Sequence, residues 1–406
     1  MRRCILTIVT AVTASLVWGS ALPGATSSRT ATDLHTPVCD LSGDQPASKR
    51  ALCQHELALA DQARGDFTSA ERRLHEALTS WTKAGVDFRP SYAISLLNLG
   101  ELYRLEHRYA ESEARLREAL DVARTVRDAY PQIYPAVLTR LAGLYAESDR
   151  AGVARALLNE SLPLFRELAK PQGHEHARAL ATLGLLDIIA AKYKDAESHL
   201  LDAIALSSGA DGEDTPETAE YQSNLALAYI QDRQMDRAEP LLNRARFVLE
   251  TKGSSNDIRL AMVYGEIGLM ATNRRKFAIA EDAEKRSIAI LERQPVPQPS
   301  KVAQARVNLA AVYLQARRLD EAEQILPGLV AEERAMAPRS CLLADGLREL
   351  ADLRALRHSW REATALYAES IAIYGERLGR DNPGIAPLQK AYEEALKHSG
   401  KSVPAA

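Results

Sequence analysis

The chain has 406 residues, enough for two or three ordinary domains, and its hydrophobic content of 46% suits a folded protein. Its 51 basic residues nearly balance its 54 acidic residues, so the net charge is −3. A nucleic-acid-binding surface or a polybasic membrane patch requires a basic surplus, so the composition argues against both.

The first 21 residues are typical of a secretory signal peptide. Arg2 and Arg3 give the charged start, residues 4–17 form an apolar run, and Gly-Ser-Ala at 19–21 is a small-x-small cleavage site. The run is too short for a comfortable transmembrane helix. We therefore expect an exported chain, periplasmic or secreted, with no membrane span in its mature form. The alternatives are an anchor that stays uncleaved or a misassigned start.

Residues 22–47 are rich in Pro, Gly, Ser, Thr and Asp and lack periodicity, which predicts a flexible leader. Cys39 lies in this leader, and Cys53 lies in the first turns of the first predicted helix. In an oxidising compartment the two can pair, and closing a loop of about 15 residues is worth roughly 3 kcal/mol. A bridge that straps the leader over the first repeat and a pair of free thiols both stay open. Cys341 is then the odd thiol.

From about residue 48 the sequence repeats every 42 residues, with a last step of 41. One column of the repeat is always small: Ala70, Ser112, Ala154, Ala196, Ala238, Ala280, Ala322 and Ala363. Twelve residues earlier stands a second small column: Ala58, Gly100, Ala142, Gly184, Ala226, Gly268, Ala310 and Ala351. One residue before that is a large aliphatic column: Leu57, Leu99, Leu141, Leu183, Leu225, Ile267, Leu309 and Leu350. Such a period predicts a solenoid whose units contact only their neighbours.

Eight units cover residues 48–384, and each is predicted to be a pair of helices that approach closely at the small residues. The units fall at about 48–88, 91–130, 133–172, 175–215, 217–256, 258–298, 301–339 and 341–382. An aromatic column is interpreted as core packing: Tyr103, Tyr145, Tyr229 and Tyr313. Residues 385–398 predict one amphipathic helix that caps the last unit, and residues 399–406 a tail.

Leu-Gly-x-x-Tyr, a small residue 12 after the Gly, and then Leu-x-x-Ala-Leu together resemble the tetratricopeptide repeat (TPR) over about residues 48–397. The period and the Asn-Leu-Ala/Gly-x-x-Tyr motifs at Asn98, Asn224 and Asn308 are similar to the kinesin-light-chain-like subtype. The resemblance implies an all-α, right-handed TPR superhelix (α-solenoid) of about eight helical hairpins plus a C-terminal capping helix. HEAT or armadillo arrays are a minor alternative, because they share the period but lack the 12-residue spacing.

Three positions depart from the repeat pattern. Pro327-Gly328 falls in the middle of the second helix of repeat 7, where proline costs about 3 kcal/mol or more, so we expect a kink or a break. In repeat 6, Glu284 occupies a column that is mostly Leu. In repeat 3, Ala151-Gly152 replaces the bulky residue that starts most second helices. The array is therefore predicted to be least regular in repeats 6 and 7.

No catalytic motif is complete, so we expect a protein that is not an enzyme and has no cofactor. The segments 55–59 and 75–79 begin like the zinc-protease HExxH motif but lack the second His. His174 and His176 could present two imidazoles to a metal, but they fall in a joint between repeats, and we expect no metal site.

The resemblance implies that the first helix of each repeat lines a concave groove, with the residue before the aliphatic column facing it. That column is polar throughout: Glu56, Asn98, Arg140, Thr182, Asn224, Glu266, Asn308 and Glu349. The predicted peptide-binding residues are Asn98, Glu101, Arg104, Arg140, Arg178, Asn224, Gln231, Gln304, Asn308 and Arg348. An Asn side chain has donors and an acceptor, so it can pair with the backbone of an extended peptide of any sequence. The alternative is a set of solvated positions without a ligand.

These features predict an exported TPR scaffold or adaptor that binds a partner protein or peptide in its groove without covalent chemistry. One alternative is a structural accessory subunit of an envelope or polysaccharide assembly system, whose outer face carries the function. A hydrolase acting on envelope material has only the export signal in its favour. A cytoplasmic peptide-sensing regulator is the further alternative if the signal peptide is not used.

Overall fold

The computed structural model describes residue 39 and residues 45–148, 150–168, 173–212, 214–253, 257–379 and 385–400. Within these ranges the chain is all-α, with a single short 3-10 helix at Val86–Phe88 and no strand. The predicted all-α fold class is therefore confirmed. The predicted signal peptide and most of the predicted leader lie outside the described residues.

Seventeen α-helices form this part of the chain. The first helices of the eight repeats are α1 (Ala47–Ala63), α3 (Arg89–Leu105), α5 (Ile133–Glu147), α7 (Gly173–Ile189), α9 (Pro216–Gln231), α11 (Ile258–Asn273), α13 (Pro299–Gln315) and α15 (Cys341–Leu356). The second helices are α2 (Phe67–Ala84), α4 (Tyr109–Thr125), α6 (Ala151–Glu167), α8 (Tyr193–Asp211), α10 (Met235–Lys252), α12 (Phe277–Glu292), α14 (Leu319–Met336) and α16 (Trp360–Leu378). A last helix, α17, spans Ala386–His398.

The chain divides into two compact units. The N-terminal unit has its described residues within 13–186 and 201–212, and the C-terminal unit has its own within 187–200 and 213–406. Each unit has a core of aliphatic and small residues from first and second helices, such as Leu99 and Leu116 in the N-terminal unit and Leu326 and Leu347 in the C-terminal unit. None of the helices in the described ranges combines the length and apolarity needed to cross a membrane.

The first helices end in a recurrent turn. The turn residue has positive φ, and it is Gly65 in the first hairpin but a non-glycine residue elsewhere: His107, Ala191, Arg233, Arg275, Arg317 and His358. The next N–H reaches back to the helix, as where Arg108 donates to the Tyr103 carbonyl at 2.9 Å. This Schellman arrangement satisfies carbonyl groups at the helix end. Left-handed backbone costs an L-residue about 1–2 kcal/mol, so packing of the hairpin must hold these turns.

The two columns of small residues meet as the sequence predicts. At Gly100 an added Cβ would lie 2.7 Å from Leu116 Cγ and 3.4 Å from the Ser112 carbonyl oxygen. At Gly268 it would lie 2.6 Å from Oε1 of Glu284. Glu284 thus occupies its aliphatic column by packing against a glycine. A Cβ at Gly100 would require Leu116 to shift, and a Cβ at Gly268 would require the Glu284 side chain to move.

The tyrosine column does more than fill space. The Tyr103 hydroxyl donates to Glu71 Oε1 of the preceding hairpin at 2.8 Å, and Arg108 donates to the same carboxylate at 2.8 Å. The Arg108 guanidinium also lies 4.1 Å from the centre of the Tyr103 ring. The same Tyr-Glu-Arg contact recurs around Tyr145, Tyr229 and Tyr313. We call it the tyrosine clamp; it ties one hairpin to the next.

Two further sequence expectations can be compared directly with the structure. A disulfide joins Cys39 to Cys53, whose Cα atoms are 5.6 Å apart. Of the kink or break expected at Pro327, the break is wrong, because α14 runs through that residue without interruption, and the kink stays a prediction. Proline removes one helical hydrogen bond, and the buried contacts of Leu326, Leu329 and Val330 keep the helix continuous around it.

Candidate functional site

The predicted groove residues lie on first helices of both units, and most are buried. Asn98, Glu101, Arg104, Arg140 and Arg178 are each at most 6% exposed in the N-terminal unit. In the C-terminal unit, Asn224, Gln304 and Asn308 are between 6% and 8% exposed. Gln231 and Arg348 are half-buried. The alternative of freely solvated positions therefore does not describe most of the set.

In the N-terminal unit the charged candidates contact one another. Arg104 forms an ion pair with Glu101 at 2.7 Å and a second one with Glu147. Arg140 lies between Glu101, at 3.5 Å, and Glu175, at 2.6 Å. Arg178 lies 3.8 Å from the same Glu175 carboxylate. We call these six residues of α3, α5 and α7 the charge ladder.

The charge ladder is electrically balanced, with three arginines and three glutamates. Burial opposes ionisation of Glu101, but Arg104 and Arg140 outweigh it and bring its pKa down to about 2. The pKa of Arg104 is raised, because its two carboxylates more than offset burial. Glu101 and Arg104 therefore stay ionised at neutral pH, and the ladder residues pair with one another across three successive first helices.

Asn98 also has a partner inside the protein. Its Nδ2 lies 3.1 Å from Nε2 of His55 on the preceding hairpin, and His55 Nδ1 lies 2.8 Å from Ser95 Oγ. Burial lowers the pKa of His55 to about 4, so its ring is neutral. Nε2 then accepts from Asn98 and Nδ1–H donates to Ser95. Binding of a peptide backbone by Asn98 stays a prediction, but one of its donors is already engaged.

The C-terminal unit presents a different arrangement at the same column. Asn224 Nδ2 and Gln304 Oε1 are buried and have no hydrogen-bond partner among the described residues. Gln304 donates through Nε2 to Asn308 Oδ1 at 3.2 Å. Glu266 occupies the polar column in the repeat between those of Asn224 and Asn308, and it accepts a hydrogen bond from the Ser223 hydroxyl. Burial raises the pKa of Glu266 to about 8, against the opposite effect of Ser223, so its carboxyl is mostly neutral at pH 7.

A wide cleft of about 1210 Å³ extends along the C-terminal ends of the first helices in this unit. Leu269, Leu314 and Trp360 give it an apolar surface, and the two half-buried candidates, Gln231 and Arg348, line it as well. Arg348 is held by Glu349 at 2.7 Å. The cleft thus combines apolar area with fixed polar groups, which is the composition of peptide- and ligand-binding surfaces.

Sequence reasoning missed several residues that the structure brings into these sites. Glu147 and Glu175 complete the charge ladder, and His55 holds Asn98. Glu266 stands in the polar column, but nothing in the sequence separates it from the neutral Asn224 and Asn308 on either side. Among the described residues no group of three or more His, Cys, Asp or Glu side chains could hold a metal ion. That His174 and His176 bind no metal stays a prediction.

The helical hairpins recur every 42 residues and pack at paired small residues. This is the architecture of a TPR superhelix. A tetratricopeptide-repeat family model matches residues 50–125. The chain is similar in structure to a Rap protein complexed with Competence and Sporulation Factor, with a TM-score of 0.60 and 14% identity over 77% of this chain and 83% of that one. It is also similar to the APC/C hetero-tetramer Cut9–Hcn1, with a TM-score of 0.56 and 15% identity over 88% of this chain and 57% of that one.

At these identities the likeness shows the fold alone. In sequence, the chain is 26% identical over 157 residues to the Clustered mitochondria protein homolog of Homo sapiens. The match covers 39% of this chain but 12% of the human protein, so it spans a small part of that relative.

Proposed function

We propose that the chain is an exported, non-catalytic adaptor that binds an extended segment of a partner protein, or a peptide, along the first helices of its C-terminal unit. The observation that carries this proposal is the pair of unpartnered buried atoms, Asn224 Nδ2 on α9 and Gln304 Oε1 on α13. A donor and an acceptor left unsatisfied in a buried setting cost free energy, and a peptide amide has the C=O and N–H that would satisfy both.

The N-terminal unit has a supporting role in this proposal. Its charge ladder is balanced, and Asn98 is bonded to His55, so these groups need no ligand to satisfy their charges. A bound segment would have to compete with existing ion pairs there, whereas around Asn224 and Gln304 it would form bonds that the chain lacks. We therefore place the main binding contacts in the C-terminal unit.

Two further observations support the proposal. The Rap protein is complexed with Competence and Sporulation Factor, and Cut9 is assembled with Hcn1, so chains with this fold hold other molecules. The disulfide between Cys39 and Cys53 supports export, because structural disulfides persist mainly in oxidising compartments. The 42-residue period supports the kinesin-light-chain-like subtype of the repeat.

Affinity capture with crosslinking and mass spectrometry identifies the partner, and calorimetry then tests the site. Losing one hydrogen bond worth about 0.5–1.5 kcal/mol weakens binding about 2- to 13-fold, so we expect this effect from Asn224→Ala and from Gln304→Ala. Asn98→Ala is the matched control, since it removes the same side chain at a position already bonded to His55. Undiminished binding by both C-terminal variants would refute the site and favour the outer face as the functional surface.

A further inference from the structure

A small cavity lies beside Glu266 between α11, α12 and α13 of the C-terminal unit. Its volume is about 40 Å³, and its polar lining comes from Glu266, Glu284, Ser287, Lys301, Gln304 and Asn308. One water-sized group needs about 10–15 Å³ by this measure, so the cavity has room for about three. The lining residue Met262 is only half-buried, so the cavity reaches the surface of the unit.

Glu266 has no basic partner among the described residues. The α9 helix supplies the Ser223 hydroxyl, which donates to Glu266, and α12 supplies another carboxyl, Glu284. The one lysine of the lining, Lys301 on α13, donates its ammonium to Gln298 at 2.7 Å. The contrast with the N-terminal unit is direct: there, each buried carboxylate of the charge ladder lies beside an arginine.

Gln304 adds a hydrogen-bond acceptor to the lining. Gln304 Oε1 has no partner in this part of the chain, while its Nε2 donates to Asn308. The cavity therefore presents the Glu266 carboxyl, which has no basic partner in this part of the chain, and the unpartnered Gln304 Oε1. A ligand group rich in N–H donors and carrying positive charge complements such a lining.

We propose that this cavity receives a primary ammonium group of the bound segment, either the end of a lysine side chain or a free N-terminus. The inference rests on the proposed function and adds the chemistry of one position in the bound partner. An ammonium with two methylene groups occupies about three water-sized volumes, whereas a guanidinium with its stem is larger. As the ammonium enters, the Glu266 carboxyl releases its proton to solvent, and an ion pair replaces a neutral buried acid.

Proton release gives the site a specific pH dependence. Because burial raises the pKa of Glu266 to about 8, about nine-tenths of this carboxyl is protonated at pH 7. Binding of one ammonium at pH 7 should therefore release about 0.9 proton. Affinity should rise about tenfold per pH unit up to about pH 8 and then stay level until the amine itself loses its proton near about pH 10.4.

The test uses the full chain and n-butylamine as the probe, with the ¹³C signal of the Glu266 carboxyl followed by NMR. We expect saturable binding with this pH profile, and Glu266→Gln should weaken it at least tenfold at pH 8. Glu333→Gln is the matched control, since Glu333 is a buried glutamate of the same unit whose pKa burial also raises, and it does not line the cavity. If Glu266→Gln fails to fold, Gln304→Met provides the second variant, with an expected loss of at least threefold.

The inference would be overturned if n-butylamine bound the wild type and Glu266→Gln with equal affinity. It would also be overturned if the wild type bound 1-butanol as tightly as n-butylamine, or n-butylguanidine more tightly. Two random heptapeptide libraries, one acetylated with a fixed lysine and one lysine-free with a free N-terminus, distinguish the two sources of ammonium. If peptides bind through Asn224 but show no preference for either ammonium, the inference fails and the proposed function stands. If no peptide binds while n-butylamine does, the proposed function fails and the cavity stands as an ammonium site.

Discussion

Replacing Arg140 by Met tests how strongly the charge ladder stabilises the N-terminal unit. The variant keeps much of the side-chain volume but removes the guanidinium that lies 3.5 Å from Glu101 and 2.6 Å from Glu175. Both carboxylates then stay buried with one cation fewer. Removing one partner of a buried ion pair costs about 3–5 kcal/mol, so we expect the free energy of unfolding at pH 7 to fall by about that amount.

The loss of free energy of unfolding in Arg140→Met should depend on pH, and the pKa of Glu101 sets the direction of that dependence. Its pKa in the folded protein is about 2, below the ordinary 4.5, so its ionisation stabilises the fold above about pH 4.5. This contribution, on the order of 3 kcal/mol, is lost as the pH falls toward 2. In the Arg140 variant we expect a higher pKa for Glu101, so lowering the pH should remove less of its free energy of unfolding than it removes from the wild type. The difference in free energy of unfolding between variant and wild type should therefore shrink toward pH 3.

Urea unfolding followed by the fluorescence of Trp81 measures the effect, because Trp81 is buried in the N-terminal unit. A Trp360→Phe background removes the signal of the C-terminal unit, and Trp18 is lost with the predicted signal peptide. The control is Arg72→Met, which breaks an exposed pair with Glu76 and should cost under about 1 kcal/mol. The reasoning would be refuted if Arg140→Met lowered the free energy of unfolding no more than the control does, or if its effect stayed constant toward pH 3.

Three more predictions concern packing, the tyrosine clamp and the disulfide. Gly100→Ala should cost about 1–3 kcal/mol, because its Cβ meets Leu116, whereas Gly143→Ala, with open space around it, should gain up to about 1 kcal/mol. Thermal unfolding checks that the two shifts have opposite signs. Tyr229→Phe removes the hydroxyl bonded to Glu197 and should lower the free energy of unfolding by about 1 kcal/mol; no change in denaturant unfolding would contradict this. Titration of the denatured mature chain should find one free thiol, and three would rule out the disulfide.

The hairpin array could be predicted from the sequence because the packing that creates it is local. Gly100 and Ser112 are 12 residues apart in one hairpin, and their small size is readable at every repeat. The aliphatic column next to Gly100 fixes which side of the first helix is buried. Periodicity therefore gives the class of fold, the number of repeats and the close helix contact without reference to partners far along the chain.

The polar contacts could not be predicted in the same way, because they join residues of different hairpins. Asn98 and His55 are 43 residues apart, and Arg140 and Glu175 are 35 apart. One sequence shows which positions are polar but not which pairs meet. For the same reason Asn98 looks available for a ligand in the sequence, while the structure shows that one of its donors serves the preceding hairpin.

The tyrosine clamp also bears on how the chain would respond to a pulling force. Clamps join the first hairpin to the second, the second to the third, the fourth to the fifth and the sixth to the seventh, each within one unit. Between the fifth and sixth hairpins, the equivalent of the tyrosine is Ala271, and Arg274 instead contacts Glu239 at 2.6 Å. Under tension the fifth and sixth hairpins should separate before the sixth and seventh, which a tyrosine clamp joins. The C-terminal unit would then extend in steps. The mechanical resistance of each contact between hairpins thus depends on whether the repeat has the clamp tyrosine.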